Sequence, residues 1–238
     1  MKKVALILLI TLLFSVTACT NSSDSSNGKA YTVKFESNGG SAVADVETNK
    51  LTEAPVSTKE GQFFCGWYKD ADLKTAVSYP FSVKNDMTLY AKWTNSTESI
   101  DCPDSSVQFS VDGSYSYEAT YLAVPTTIDL EALAEQGYFI KIDATYDVYY
   151  EKDFDVPFDI GYFGAPDHHT YIIDPDNNGA SNESLPTSTT PTTETISHVV
   201  SANQLLNDNY YLKLTTKNTQ NIVHFTNVKI TFTCQTTK

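Results

Sequence analysis

The chain has 238 residues, of which 41% are hydrophobic, 12% aromatic and 19% charged, so wholesale disorder is excluded. Sixteen basic residues stand against 29 acidic ones for a net charge of −13, and all sixteen are lysine. Without a guanidinium to clamp phosphate or read a base edge, and with a charge that opposes a polyanion, nucleic acid is set aside as a partner.

Lys2 and Lys3 precede Val4 to Ala18, fifteen residues without a charge. A membrane-spanning helix needs about 20 residues, so this run has the proportions of a signal-peptide core. It ends Val16-Thr17-Ala18-Cys19, which resembles the bacterial lipoprotein box. The resemblance implies that residues 1–18 are removed and that Cys19 carries a diacylglyceryl group. The partner so implied is a lipid bilayer, with the chain held on the extracellular side of a bacterial cell membrane. Residues 19–30 hold no large apolar side chain up to Lys29 and read as a flexible tether.

The remaining charge is uneven. Residues 31–93 hold seven lysines and eight acids, whereas residues 99–238 hold six lysines and nineteen acids. Two modules with different surfaces are expected, divided by the polar run 94–98 as a linker.

In the first module, Tyr31-Thr32-Val33-Lys34-Phe35 alternates as a half-buried strand does, and Ser37-Asn38-Gly39-Gly40 supplies a turn. The aromatic group Phe63-Phe64-Cys65-Gly66-Trp67-Tyr68 and the alternating run Met87 to Trp93 predict further strands. Together with Tyr79-Pro80-Phe81, these motifs in this order resemble the Listeria–Bacteroides repeat, also known as the internalin B-repeat. The resemblance covers nearly all of residues 31–93. It implies a small β-grasp-like domain of bacterial surface proteins, serving as spacer or adhesion module without known catalysis. One copy is visible, and Cys65 stands where that family more often has another residue. Trp67, Tyr90 and Trp93 are expected to pack in the core of so small a domain rather than to stack on a sugar.

In residues 99–238 strand patterns dominate. Val107, Phe109 and Val111 alternate, as do Tyr115, Tyr117, Ala119 and Tyr121. Ile140 to Tyr150 predicts a long strand with one apolar and one polar face, and Phe154 to Tyr162 another. Tyr210, Leu212 and Leu214 mark a later strand. The last run changes parity between Phe225 and Val228, which predicts a bulge near Thr226-Asn227. Leu130 to Gln136 predicts a helix capped by Asp129 and stopped by Gly137, and a short turn is expected at 202–206. The fold class is therefore mainly β: the small β-grasp-like module, then an antiparallel β-sandwich, jelly-roll-like in pattern, with a long polar loop at 174–195.

Candidate chemistry is sparse. Asp174, Asp176 and Asn178 precede Gly179 as in the first half of a calcium loop, but Leu185 stands where the closing carboxylate belongs. These residues read either as a weak calcium site or as an ordinary turn, and no other cofactor is expected. Adjacent His168 and His169 face opposite ways on an extended chain and do not suit one ion. The acids between Asp143 and Asp159 read as a solvated strand face before a glycosidase pair. Cys102 and Cys234 bracket the sandwich and would form a disulfide if its first and last strands brought them together.

No catalytic residue and no enzyme are expected. The reading is a surface-anchored lipoprotein that binds an external glycan or a host or envelope protein. A glycan-active hydrolase or its sugar-binding subunit is one alternative, and a structural envelope lipoprotein the other.

Overall fold

The structure, a computed structural model, describes residues 28–108, 118–151, 161–164, 189–207, 210–215 and 222–238. Cys19, the signal segment, His168, His169, Asp174, Asp176 and Asn178 lie outside the described residues.

The first module starts with β1 (Tyr31–Glu36), which turns through Asn38 and Gly39, both at positive φ, with the Gly40 amide donating to the Ser37 carbonyl at 2.9 Å. Gly40 is needed for close approach, because a Cβ there would lie 2.4 Å from the Trp93 ring. Next come β2 (Val46–Thr48), β3 (Lys50–Leu51), β4 (Gln62–Tyr68), β5 (Phe81–Ser82) and β6 (Met87–Asn95). The sheet order is β2-β1-β6-β4, with β1 parallel to β6 and the outer pairs antiparallel. That is a grasp-like order, although residues 31–93 contain no helix and the crossover is made by loops and the small β3-β5 pair.

Aromatic packing holds this module together. Trp67 is fully buried, donates Nε1–H to the Pro55 carbonyl at 2.8 Å, and meets Phe35 and Phe64 edge-on at 4.8 and 5.5 Å. Trp93 packs against the same cluster and donates to the Ser37 carbonyl at 2.9 Å. Tyr90 is half-buried outside that cluster.

The second module contains β7 (Thr97–Asp101), β8 (Ser105–Gln108), β9 (Glu118–Leu122), α1 (Leu130–Glu135), β10 (Phe139–Tyr150) and β11 (Gly161–Gly164). β12 (Thr192–Ser201), α2 (Ala202–Asn207), β13 (Tyr211–Thr215) and β14 (Ile222–Gln235) complete it. One sheet runs β12-β10-β14-β7, with β8 also on β14; the other runs β11-β13-β9, and every pairing is antiparallel. Inward residues of both sheets, including Ile142, Tyr146, Phe225, Phe232, Leu212 and Leu214, share one buried cluster. The expected bulge is present: Asn227 sits at φ 53°, and the register slips between Thr145 and Asp147.

α1 is capped as its sequence requires, with the Asp129 carboxylate accepting from the Ala132 amide at 2.9 Å and Gly137 at φ 69° ending it.

Two expected boundaries are corrected. Residues 94–98 do not form a loose linker: Thr94 and Asn95 belong to β6, Thr97 and Glu98 to β7, and Ser96 alone joins the strands. Residues 192–195, expected within the polar loop 174–195, are strand instead: Thr192 to Thr195 pair with Val148 to Thr145 of β10. Threonine is β-branched and suits a paired strand, which its polarity hides in a Ser/Thr-rich run.

The modules are also packed together. The face of β4 and β6 turned away from the repeat's own core meets α1 and its flanks. Tyr68 donates to Glu135 at 2.8 Å, Lys92 pairs with Asp129 at 3.0 Å, and Phe63 meets Tyr138 edge-on at 5.5 Å. The Thr94 hydroxyl accepts from the Asp129 amide at 2.7 Å. Cys65 is fully buried within the sandwich's cluster, which accounts for a small thiol at that position.

Candidate binding surface

β10 occupies the middle of the larger sheet, and alternation sends Ile140, Ile142, Ala144, Tyr146, Val148 and Tyr150 inward. Its intervening residues are half-exposed on the opposite face. Register carries this alternation across the neighbouring strands. Lys141 lies level with Val199, Thr233 and Thr97; Asp143 with Ser197, Thr231 and Ser99; Thr145 with Thr195, Lys229 and Asp101. The result is three rows of four side chains, with strands about 4.8 Å apart and rows about 6.8 Å apart.

Neighbours on this face hold one another. Ser99 and Thr231 hydroxyls lie 2.9 Å apart, Thr145 and Thr195 hydroxyls 3.3 Å, and Ser197 donates to Asp143. Lys141 pairs with Asp143 at 2.8 Å and Lys229 with Asp101 at 3.5 Å. Asp147 accepts from the Thr193 hydroxyl and, at 2.7 Å, from the Asn227 amide, and these two bonds hold its carboxyl below the usual range. At one end Tyr149 stacks on His224, rings 4.7 Å apart and 15° from parallel.

The expected site residues fare differently. Asp143 and Asp147 do lie on a solvated face, Asp143 held by Lys141 and Ser197 and Asp147 by Thr193 and Asn227. Asp153, Asp155 and Asp159 lie outside the described residues. No cluster of metal-ligating side chains occurs among the described residues.

The Cys102–Cys234 disulfide is not formed; both thiols are free. First and last strands are neighbours as expected, but they run antiparallel. The Cys102 amide donates to the Val228 carbonyl at 2.8 Å, whereas the Cys234 amide donates to Ser96 at 3.0 Å, at the other end of the ladder. Six residues of β14 separate the two levels, about 20 Å, far beyond the 7 Å that a bridge can span. Cys234 lies instead on the seam between modules, its thiol 3.3 Å from the Asn95 carbonyl. Burial pushes both Cys65 and Cys234 up to about 12, and for Cys65 nearby Asp129 and Cys234 add to the effect.

A second surface feature is an open cleft of about 550 Å³ on the repeat, lined by Val46, Thr48, Lys50, Leu51, Pro55 and Val56 among others. Val56 is 79% exposed at its rim.

Sequence reasoning missed the contribution of β12 to the polar face. A signal was available: Ile196, His198 and Val200 alternate with Ser197 and Val199 directly after the threonines.

Comparison with known proteins bears on the first module. Residues 31–92 match the Listeria-Bacteroides repeat domain. Over 67 residues the chain is 51% identical to two proteins of Evansella cellulosilytica, one named "Putative Gly-rich membrane protein" and the other "Putative membrane protein". The match takes in 26% of this chain but 8% and 10% of those proteins, so the chain spans a small part of their length. No solved structure matches the chain. No helix among the described residues is long and apolar enough to cross a membrane.

Proposed function

We propose that the chain is a surface-anchored bacterial lipoprotein whose β-sandwich binds an external glycan or protein, without catalysis. The observation that carries this reading is the repeat at residues 31–92, a domain typical of surface proteins. Three features support it: the Val16-Thr17-Ala18-Cys19 run, the membrane-protein names of the two relatives, and a sandwich packed against the repeat with a broad polar face outward. The Cys19 thiolate is the group that would accept the diacylglyceryl moiety. Two acyl chains hold a protein to a bilayer lastingly where one gives marginal attachment.

The test is expression of the full chain and of Cys19→Ser in a bacterial host. Mass spectrometry of the first mature peptide should show a diacylglyceryl-cysteine, and protease added to intact cells should digest the wild-type chain. Cys19→Ser should lose the lipid and leave the membrane fraction. An unprocessed amino terminus in the cytosol overturns the anchor, and release of sugar from a glycan panel overturns the non-catalytic part.

A further inference from the structure

We propose that the outer face of the β12-β10-β14-β7 sheet is the ligand surface and that its ligand is a neutral polysaccharide. This rests on the surface-binding reading above and gives it a location and a ligand class.

Charge is the first argument. Residues 99–238 carry six lysines against nineteen acids, yet on this face the charges are paired off. Lys141 is held by Asp143, Lys229 by Asp101, and Asp147 is saturated by Thr193 and Asn227. An anionic ligand meets a strongly acidic domain, and a cationic one finds carboxylates already bonded. A neutral polyol needs neither sign.

Hydroxyl chemistry is the second argument. Each Ser or Thr hydroxyl has one donor and two acceptor positions, so a hydroxyl tied sideways to one neighbour keeps capacity toward solvent. Ser99, Thr231, Thr145, Thr195 and Ser197 are tied in this way, in rows set by strand register. Their orientation is fixed before a ligand arrives, which lowers the ordering cost of binding. The Tyr149–His224 stack closes one end of the array with a partly exposed aromatic pair, of the kind that packs against sugar C–H groups.

A protein partner fits less well. Protein interfaces are anchored by buried aromatic and apolar side chains, and among the twelve residues of the three rows Val199 is the one apolar member.

Affinity electrophoresis of the full chain tests this, in gels containing a β-glucan, dextran, galactomannan, heparin or polygalacturonate. Ser99→Arg combined with Thr195→Arg obstructs the face at two exposed positions, and Val56→Arg marks the repeat's cleft. At least one neutral polysaccharide should retard the chain. The double variant should weaken that binding tenfold or more without changing the melting temperature, and Val56→Arg should leave it unchanged. Retardation by the polyanions alone, no retardation by any neutral polysaccharide, or binding that survives the double variant overturns the proposal. A chain displayed on cells that ignores all three neutral polymers defeats this inference and leaves the lipid anchor standing; a chain in the cytosol defeats the anchor.

Discussion

The phenol of Tyr68, on the last residue of β4, donates to the carboxylate of Glu135 in α1 at 2.8 Å, a hydrogen bond that joins the two modules through residues 67 apart in sequence. It lies beside the Lys92–Asp129 pair and the Phe63–Tyr138 contact, and these contacts couple the repeat to the sandwich. Calorimetry of a chain starting at Gly28 should therefore show a single unfolding transition. Tyr68→Phe should lower stability by about 1–2 kcal/mol, the range for a bond to a charged acceptor that is partly solvated. Two separated transitions, with Tyr68→Phe shifting neither, would refute the coupling.

Glu98 supplies a pH-dependent element. Its carboxylate accepts from the amides and hydroxyls of Thr126 and Thr127 at 2.7–3.0 Å. Burial alone would raise its pKa, but these bonds outweigh burial and hold the carboxyl below its usual range. Because the folded-state value is the lower one, the contribution is present above the unfolded value and is lost as pH falls through the folded one. Glu98→Gln should cost about 1 kcal/mol at neutral pH, and the gap from wild type should narrow as urea titrations are repeated at increasingly acidic pH. A gap independent of pH would contradict the assignment.

The bulge in β14 depends on Asn227, which holds φ at 53° while its amide bonds Asp147 at 2.7 Å. A β-branched side chain there forces a strained backbone and drops the bond. Asn227→Val should destabilise by about 2–3 kcal/mol, whereas Asn227→Gly, which relieves the backbone and loses only the exposed bond, should cost under about 1 kcal/mol. Equal losses for the two variants would place the effect elsewhere.

The thiols provide a chemical test. Cys65 is fully buried and Cys234 nearly so, both pushed up to about 12 by burial, while Cys102 is half-buried. Iodoacetamide on the native chain at pH 8 should label Cys102 well before Cys65 and Cys234, because the thiolate is the reacting form. All three should react after denaturation without a reductant. Since the folded state holds the Cys65 and Cys234 protons more tightly than the unfolded state, their contribution to stability is complete below the ordinary thiol range and is lost as pH climbs from there toward about 12.

What could be read from the residues follows from what is local. Strict alternation over Ile140–Tyr150 predicted β10, the parity break at Thr226-Asn227 predicted the bulge, and the ordered motifs from Ser37-Asn38-Gly39-Gly40 through Phe63 to Tyr68 and Tyr79-Pro80-Phe81 to Met87–Trp93 carried the repeat resemblance. Pairing direction is not local. That is why Cys102 and Cys234, each beside the correct strand, were expected together although the antiparallel ladder sets them at opposite ends. The contacts of Cys65, Tyr68, Lys92 and Thr94 were equally invisible, since nothing in a lysine or a tyrosine names Asp129 or Glu135 as its partner. Thr192 to Thr195 escaped because a threonine on a solvated strand face and a threonine in a loop are compositionally alike, and pairing with β10 decides between them.

β7 enters the sandwich after one residue, Ser96, and lies antiparallel along β14 from Thr97 opposite Thr233 to Asp101 opposite Lys229. Tension applied along the axis of this strand would load its five pairings with β14 together as shear. A joint loaded in this way yields when several bonds break at once rather than one after another.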